Sequence, residues 1–119
     1  ELAETGLQML ADPLVALGRA RQLAETYRRG RRAQVEAQLA ALAMLWRDLL
    51  LLRYGLDDRV IHAGLRERLE RLARRWSPAE ILQGLRATCQ AMVDLETNVQ
   101  VRLALDALVT QWPTPDRTR

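Results

Sequence analysis

The chain has 119 residues, 49% hydrophobic and 28% charged, with a formal net charge of +3. That length suits one domain with its own hydrophobic core. A single cysteine and a single histidine exclude an internal disulfide or a cysteine-based zinc site and argue against a metal cage.

Alanine, leucine, arginine and glutamate dominate, whereas β-branched and aromatic residues are scarce, so the fold class is all-α. Every basic residue is arginine, phenylalanine is absent and Asn98 is the sole asparagine. This depletion of residues with AT-rich codons indicates a GC-rich genome rather than a function. The charge balance permits nucleic-acid contact without demanding it.

The start, Glu1 to Gly6, has neither a basic segment nor an apolar run after one, so no secretory signal is expected. It also lacks an initiator methionine, and the expectation is a C-terminal piece of a longer protein. Leu2 to Leu10 reads as a short helix. Asp12-Pro13 reads as an N-cap followed by proline at the first helical position. The helix after it carries Leu14, Leu17 and Leu23 toward Tyr27. Arg28-Arg29-Gly30-Arg31-Arg32 interrupts the periodicity as a helix–helix connection.

From about Ala33 to Tyr54, Val35, Leu39, Leu42, Trp46 and Leu49 repeat at spacings of four and three. Arg47 and Asp48 are the only charges between Ala37 and Leu52, so this helix is expected to be buried nearly all round. Its apolar run is broken by Gln38, Arg47 and Asp48 and is too short to cross a membrane. Gly55 is a left-handed stop. Asp57 and Asp58 can cap the next helix, which carries Ile61, Leu65, Leu69, Leu72 and Trp76. Glu67 with Arg71 and Glu70 with Arg74 are expected as exposed pairs on its outer face.

Ser77-Pro78-Ala79-Glu80 is a capping box with proline in the first turn. Ile81, Leu85, Cys89, Met92 and Val93 form the apolar stripe of the following helix, which assigns Cys89 to packing. Thr97-Asn98-Val99-Gln100 is a second, weaker capping box. It opens a last helix with Val101, Leu105, Leu108 and Trp112. Pro113 and Pro115 end that helix, and 113–119 is expected to fray. The whole reads as a single domain over 1–119, a bundle of about five helices around a long buried one.

Nothing in the chain matches an enzyme. There is no phosphate-binding glycine loop and no lysine to serve one. Ser77 is committed to its cap, and His62 has Arg66, not a carboxylate, one turn away. No catalytic residue, cofactor or small-molecule substrate is expected. Arg28, Arg29, Arg31 and Arg32 are the candidate phosphate contacts, against the plainer reading of a solvated turn; interleaved aromatics are missing apart from Tyr27. Arg47 and Asp48 need partners, because desolvating an unpaired charge costs about several kcal/mol. Adjacent residues point roughly 100° apart around a helix, so each is expected to have its own. Those partners are either within the domain, for example Arg102 or Asp106, or on another subunit.

Leu45-Trp46-Arg47-Asp48-Leu49-Leu50 closing at Gly55, with Leu95, Asn98, Arg102, Leu103, Leu105 and Asp106, resembles the C-terminal domain of the bacterial DNA polymerase III delta-prime subunit. The likeness spans about residues 35 to 112. Two departures stand out: Gln100 replaces a second asparagine, and an Ile-Asn-x-Asp-like element is present only as Ile61-His62-Ala63-Gly64. The related gamma/tau collar is less similar to the Trp-Arg-Asp-Leu-Leu run.

The resemblance implies a non-catalytic, cytoplasmic collar domain that packs beside the gamma/tau and delta collars and holds a clamp-loader pentamer together in DNA replication. Any DNA contact would be weak or indirect, and no membrane is involved. The ATPase-like and zinc-binding modules of such subunits lie N-terminal to the collar, outside this chain. The candidate interface or structural residues are Arg47, Asp48, Asn98, Arg102 and Asp106. The alternative function is a helical nucleic-acid-binding or adaptor module using Arg28 to Arg32.

Overall fold

A computed structural model describes residues 1–56, 59–60, 62–97 and 100–113. The expectations placed on Asp57, Asp58, Ile61, Asn98, Val99 and the tail beyond Pro113 lie outside these residues. Among the described residues six α-helices follow one another: α1 (Leu2–Ala11), α2 (Pro13–Arg28), α3 (Arg32–Arg53), α4 (Arg66–Ala73), α5 (Pro78–Glu96) and α6 (Val101–Gln111). A 3-10 turn, Ala63–Leu65, leads into α4. The all-helical fold is as the composition requires.

Each boundary has a local cause. Asp12 accepts the backbone N–H of Leu14 at 2.9 Å, and Pro13 opens α2. At Ser77 the capping box is complete: Ser77 Oγ accepts from Glu80 N at 3.1 Å, and Glu80 Oε1 accepts from Ser77 N at 2.8 Å. Helices α2 and α3 both end in a Schellman motif with glycine at positive φ, 82° at Gly30 and 74° at Gly55. At the second, Leu56 N–H donates to Leu51 O at 2.9 Å and Gly55 N–H to Leu52 O at 3.1 Å.

Helix α3 is the axis. Its 22 residues extend about 33 Å, against a longest molecular dimension of 40 Å. It packs against α1, α2, α4 and α5, and α6 closes the bundle across α2 and α5. Val35, Leu39, Leu42, Leu45, Trp46 and Leu49 are fully buried along one side. The opposite side is open, with Ala37, Ala40 and Met44 exposed, so α3 is not buried all round.

Two stripes run on different faces from those the large apolar residues suggest. On α2 the buried residues are Ala16, Ala20, Leu23 and Ala24, while Leu14 is 79% exposed. On α5 they are Ile81, Gly84, Ala87, Thr88, Ala91 and Leu95, leaving Cys89 and Val93 exposed. Cys89 is therefore not a core residue. On α5 the reason is steric, since its small face receives a large side chain from α3, and α1 does the same at Gly6. An ideal Cβ on Gly84 would lie 2.4–2.5 Å from ring atoms of Trp46, and one on Gly6 would lie 2.7 Å from Leu45 Cδ1.

The last two connections also differ from expectation. Helix α4 ends at Ala73, and Trp76 sits in the turn beyond it, still buried. Proline at 78 disfavours helical backbone at Ser77, which is extended and caps α5. Trp76 then reaches the core from the turn, its ring 5.0 Å from that of Trp46. Arg53 Nε holds the carbonyl of Trp76 at 3.1 Å. Thr97 does not open α6: its hydroxyl donates to Asp94 O in the last turn of α5, and Gln100 caps α6 without a side-chain bond.

Candidate functional site

The polar centre of the domain is built around Asp48. Helix α3 places this carboxylate at the flank of its buried side, with no exposed surface. The Schellman motif at Gly55 turns the chain back so that His62 reaches Asp48. Asp48 Oδ2 accepts the backbone N–H of His62 at 2.9 Å and lies 2.8 Å from His62 Nδ1. Arg47 reaches round the helix and brings its guanidinium within 3.4 Å of Asp48 Oδ1.

Asp48 thus ties the α3–α4 connection to the C-terminal part of the axis. Two bonds to one residue, one of them to backbone, fix both the position and the ring orientation of His62. An aspartate orienting a histidine is also found in nucleophilic catalysis. Here the only serine, Ser77, accepts from Glu80 N in its cap, and no hydroxyl or thiol bonds His62 among the described residues. The arrangement positions backbone rather than substrate. No group of three or more histidine, cysteine or acidic side chains gathers as a metal site among the described residues.

This corrects the expected pairing. Arg47 and Asp48 contact each other, because the long arginine side chain spans the angle between neighbouring positions. Arg47 is not buried, its side chain being 41% exposed. Among the described residues the partners of Asp48 are Arg47 and His62 rather than the expected Arg102. Arg102 and Asp106 pair with one another at 4.0 Å on the surface of α6. The expected bonds on α4 are also replaced: Glu70 is taken by Arg66 at 2.8 Å, and Arg68 reaches Glu4 on α1. Sequence reasoning missed His62 as the partner of Asp48, since a helical i+3 or i+4 search cannot see across a loop. One signal was available: a buried carboxylate in an apolar helix, followed by a glycine stop and the only histidine.

Beside the polar centre lies an aromatic one. Trp76 from the α4–α5 turn and Trp112 from the end of α6 both pack on Trp46 of α3, whose ring lies against Gly84 of α5. Trp112 packs edge-on to Trp46 at 5.7 Å. Trp112 Nε1 donates to Thr88 Oγ1 at 3.3 Å, and that hydroxyl donates to Gly84 O at 2.9 Å. Trp46 of the Trp-Arg-Asp-Leu-Leu run is therefore the hub of the core, and Asp48, two residues on, is the hub of the connection.

The arginine-rich turn is exposed and largely paired. Arg28 and Arg29 share Glu25 at 3.3 and 3.5 Å, and Arg32 bonds Glu36 at 3.2 Å. Arg31 makes no ion pair among the described residues. The guanidinium of Arg32 also lies over the Tyr27 ring, 6.0 Å from its centroid. No helix among the described residues is long and apolar enough to cross a membrane.

The sequence matches the family model for the DNA polymerase III delta subunit, C terminal, over residues 15–114. No curated protein and no solved structure shows significant similarity to the chain. The matched span includes the Asp48–His62 tie and all three tryptophans. The chain belongs to the family of C-terminal domains of the DNA polymerase III delta subunit, a clamp-loader family.

Proposed function

We infer that the chain is the collar domain of a delta-prime-type clamp-loader subunit. It acts in DNA replication by holding loader subunits side by side, with the gamma/tau and delta collars as its neighbours. The delta-prime assignment rests on the Trp46-Arg47-Asp48-Leu49-Leu50 run and its closure at Gly55. The reading is supported most by the apolar side chains left outside a core that is already full. Leu14, Tyr54, Leu103 and Val93 are between 50% and 79% exposed, and Leu2, Val15, Met44 and Leu56 are exposed to a lesser degree. Burying such side chains against a neighbouring subunit would stabilise an assembly in proportion to the apolar area removed from water.

The mechanism is passive. Asp48 and the tryptophan cluster hold the helices rigid, so the exposed apolar faces are presented in fixed relation to one another. Specificity then comes from complementarity of shape and charge more than from area. The alternative of nucleic-acid binding through Arg28 to Arg32 gains no observation, since three of the four arginines already face carboxylates.

Light scattering coupled to size exclusion tests the reading, on the protein alone and mixed with the gamma/tau subunit of the same organism. The expected result is a stable mixed complex. Absence of any complex with clamp-loader subunits would sink it.

A further inference from the structure

Helix α4 ends in a concentration of positive charge that its neighbours leave unneutralised. Residues 66–75 hold five arginines against two glutamates. Folding pairs the first two arginines: Arg66 takes Glu70 at 2.8 Å, and Arg68 takes Glu4 of α1. Arg71, Arg74 and Arg75 are exposed, and among the described residues they make no ion pair. Glu67, one turn before Arg71, bonds none of them. The Arg28–Arg32 turn is the contrast, because three of its four arginines face Glu25 or Glu36.

Such crowding does nothing for the fold alone. Arg71 stands one turn from both Arg74 and Arg75, and like charges at those spacings destabilise a helix. The C-terminus of α4 offsets little of this, since a helix end carries only about half a negative charge. Shallow grooves flank the ridge. Arg71 and Arg75 line one of about 170 Å³ against α1, together with Leu7 and Leu72. Arg74 and Arg53 line the other, of about 310 Å³ against α3, where the acid, Glu70, is already held by Arg66. Arg53 is fixed there by its Nε bond to Trp76 O at 3.1 Å.

These features narrow the ligand. No aromatic side chain lines either groove, so unpaired bases have nothing to stack on. What the ridge offers is guanidinium forks, which suit phosphate and carboxylate oxygens alike. Charge density separates the two. A duplex carries one negative charge per ~1.7 Å of its axis, whereas an extended acidic peptide carries at most one per residue, about 3.3–3.6 Å. Three cations within one helical turn match the denser array.

We propose that Arg71, Arg74 and Arg75, with Arg53 beside them, bind the phosphate backbone of a nucleic-acid duplex without regard to its sequence. This surface is separate from the apolar side chains assigned to neighbouring subunits, and it stands or falls independently of the collar reading. Fluorescence anisotropy with a short labelled DNA duplex of arbitrary sequence, repeated over a fourfold range of salt, tests it. The unaltered protein is compared with the combined Arg71→Gln, Arg74→Gln and Arg75→Gln variant and with the corresponding three lysine substitutions. Arg28→Gln with Arg29→Gln is the control, since both arginines already share Glu25. All these side chains are exposed, so the variants are expected to fold, and circular dichroism verifies it.

Each phosphate contact contributes ~0.9 to the slope of log affinity against log salt, so the unaltered protein should weaken at least about fortyfold over that range. The triple glutamine variant is expected to lose about 2.7 from the slope. The triple lysine variant should keep most of it, because the charge remains, and the control should match the unaltered protein. A slope untouched by the glutamine substitutions would overturn the proposal, as would absence of duplex binding by the unaltered protein at low salt. Polyglutamate competing as strongly as the duplex would overturn the choice of phosphate and make the ridge a site for an acidic protein segment.

Discussion

Helices α3 and α5 lie against each other and bury their contact in opposite ways. On α3 the buried face is made of the largest side chains, Trp46 and five leucines or valine, all fully buried. On α5 it is made largely of Gly84, Ala87, Thr88 and Ala91. One helix supplies the projections and the other the space, which is how interiors reach crystal-like density. The comparison teaches that a row of large apolar residues marks a buried face only on the helix that projects. On the helix that receives, the same kind of row, Leu85, Cys89 and Val93, runs along the flank or the surface.

The sharpest way to break this comparison is to fill the space. Trp46→Ala should destabilise by about 3–5 kcal/mol through the cavity it leaves. Gly84→Ala should cost about 1–3 kcal/mol, because its Cβ has no room beside the indole. Denaturant midpoints measure both. A stabilising Gly84→Ala would show that Trp46 can move aside. Gly18, exposed on α2, is the matched control: an added Cβ there meets nothing within 4 Å. Gly18→Ala should stabilise by about 0.5–1 kcal/mol through helix propensity alone.

The next largest effect belongs to the polar tie. Asp48→Ala removes the carboxylate oxygen that holds both the backbone N–H and the ring of His62 and should cost about 1–3 kcal/mol. Glu70→Ala, which breaks only an exposed pair with Arg66, should cost about 0.5 kcal/mol or less. Equal effects would mean that the buried carboxylate does not hold the α3–α4 connection. The smallest effect is at Cys89: Cys89→Ser should change stability by less than about 0.5 kcal/mol. Its thiol should also react with a labelling reagent in the native protein. Slow labelling that needs denaturant would restore the core assignment that the stripe first suggested.

Much of the architecture could be read without coordinates because its signals are local. The Ser77 capping box, Asp12-Pro13 and Gly55 act within a few residues of chain, so their spacing alone specifies the boundary. The burial of Val35, Leu39, Leu42, Trp46 and Leu49 followed from a row of large side chains on a helix with few charges. The likeness carried by the Trp-Arg-Asp-Leu-Leu run led to the clamp-loader family for a comparable reason. It joins the residue at the centre of the core to the carboxylate at the centre of the connection.

What the sequence could not decide depends on which helix lies against which. The small face of α5 acquires meaning only when Trp46 enters it, and hydrophobic periodicity weighs size rather than vacancy. The partner of Asp48 lay fourteen residues away across a loop, and the partner of Arg47 was the adjacent residue, reached by side-chain length. Trp76 joined the core from a turn, after its helix had ended. Sequence thus determined the helices, their stops and the helix that forms the axis, because those follow from short-range backbone and burial energetics. Tertiary structure alone decided which apolar rows are core and which, like that on the outer side of α3, stay open, because burial is a property of two surfaces together.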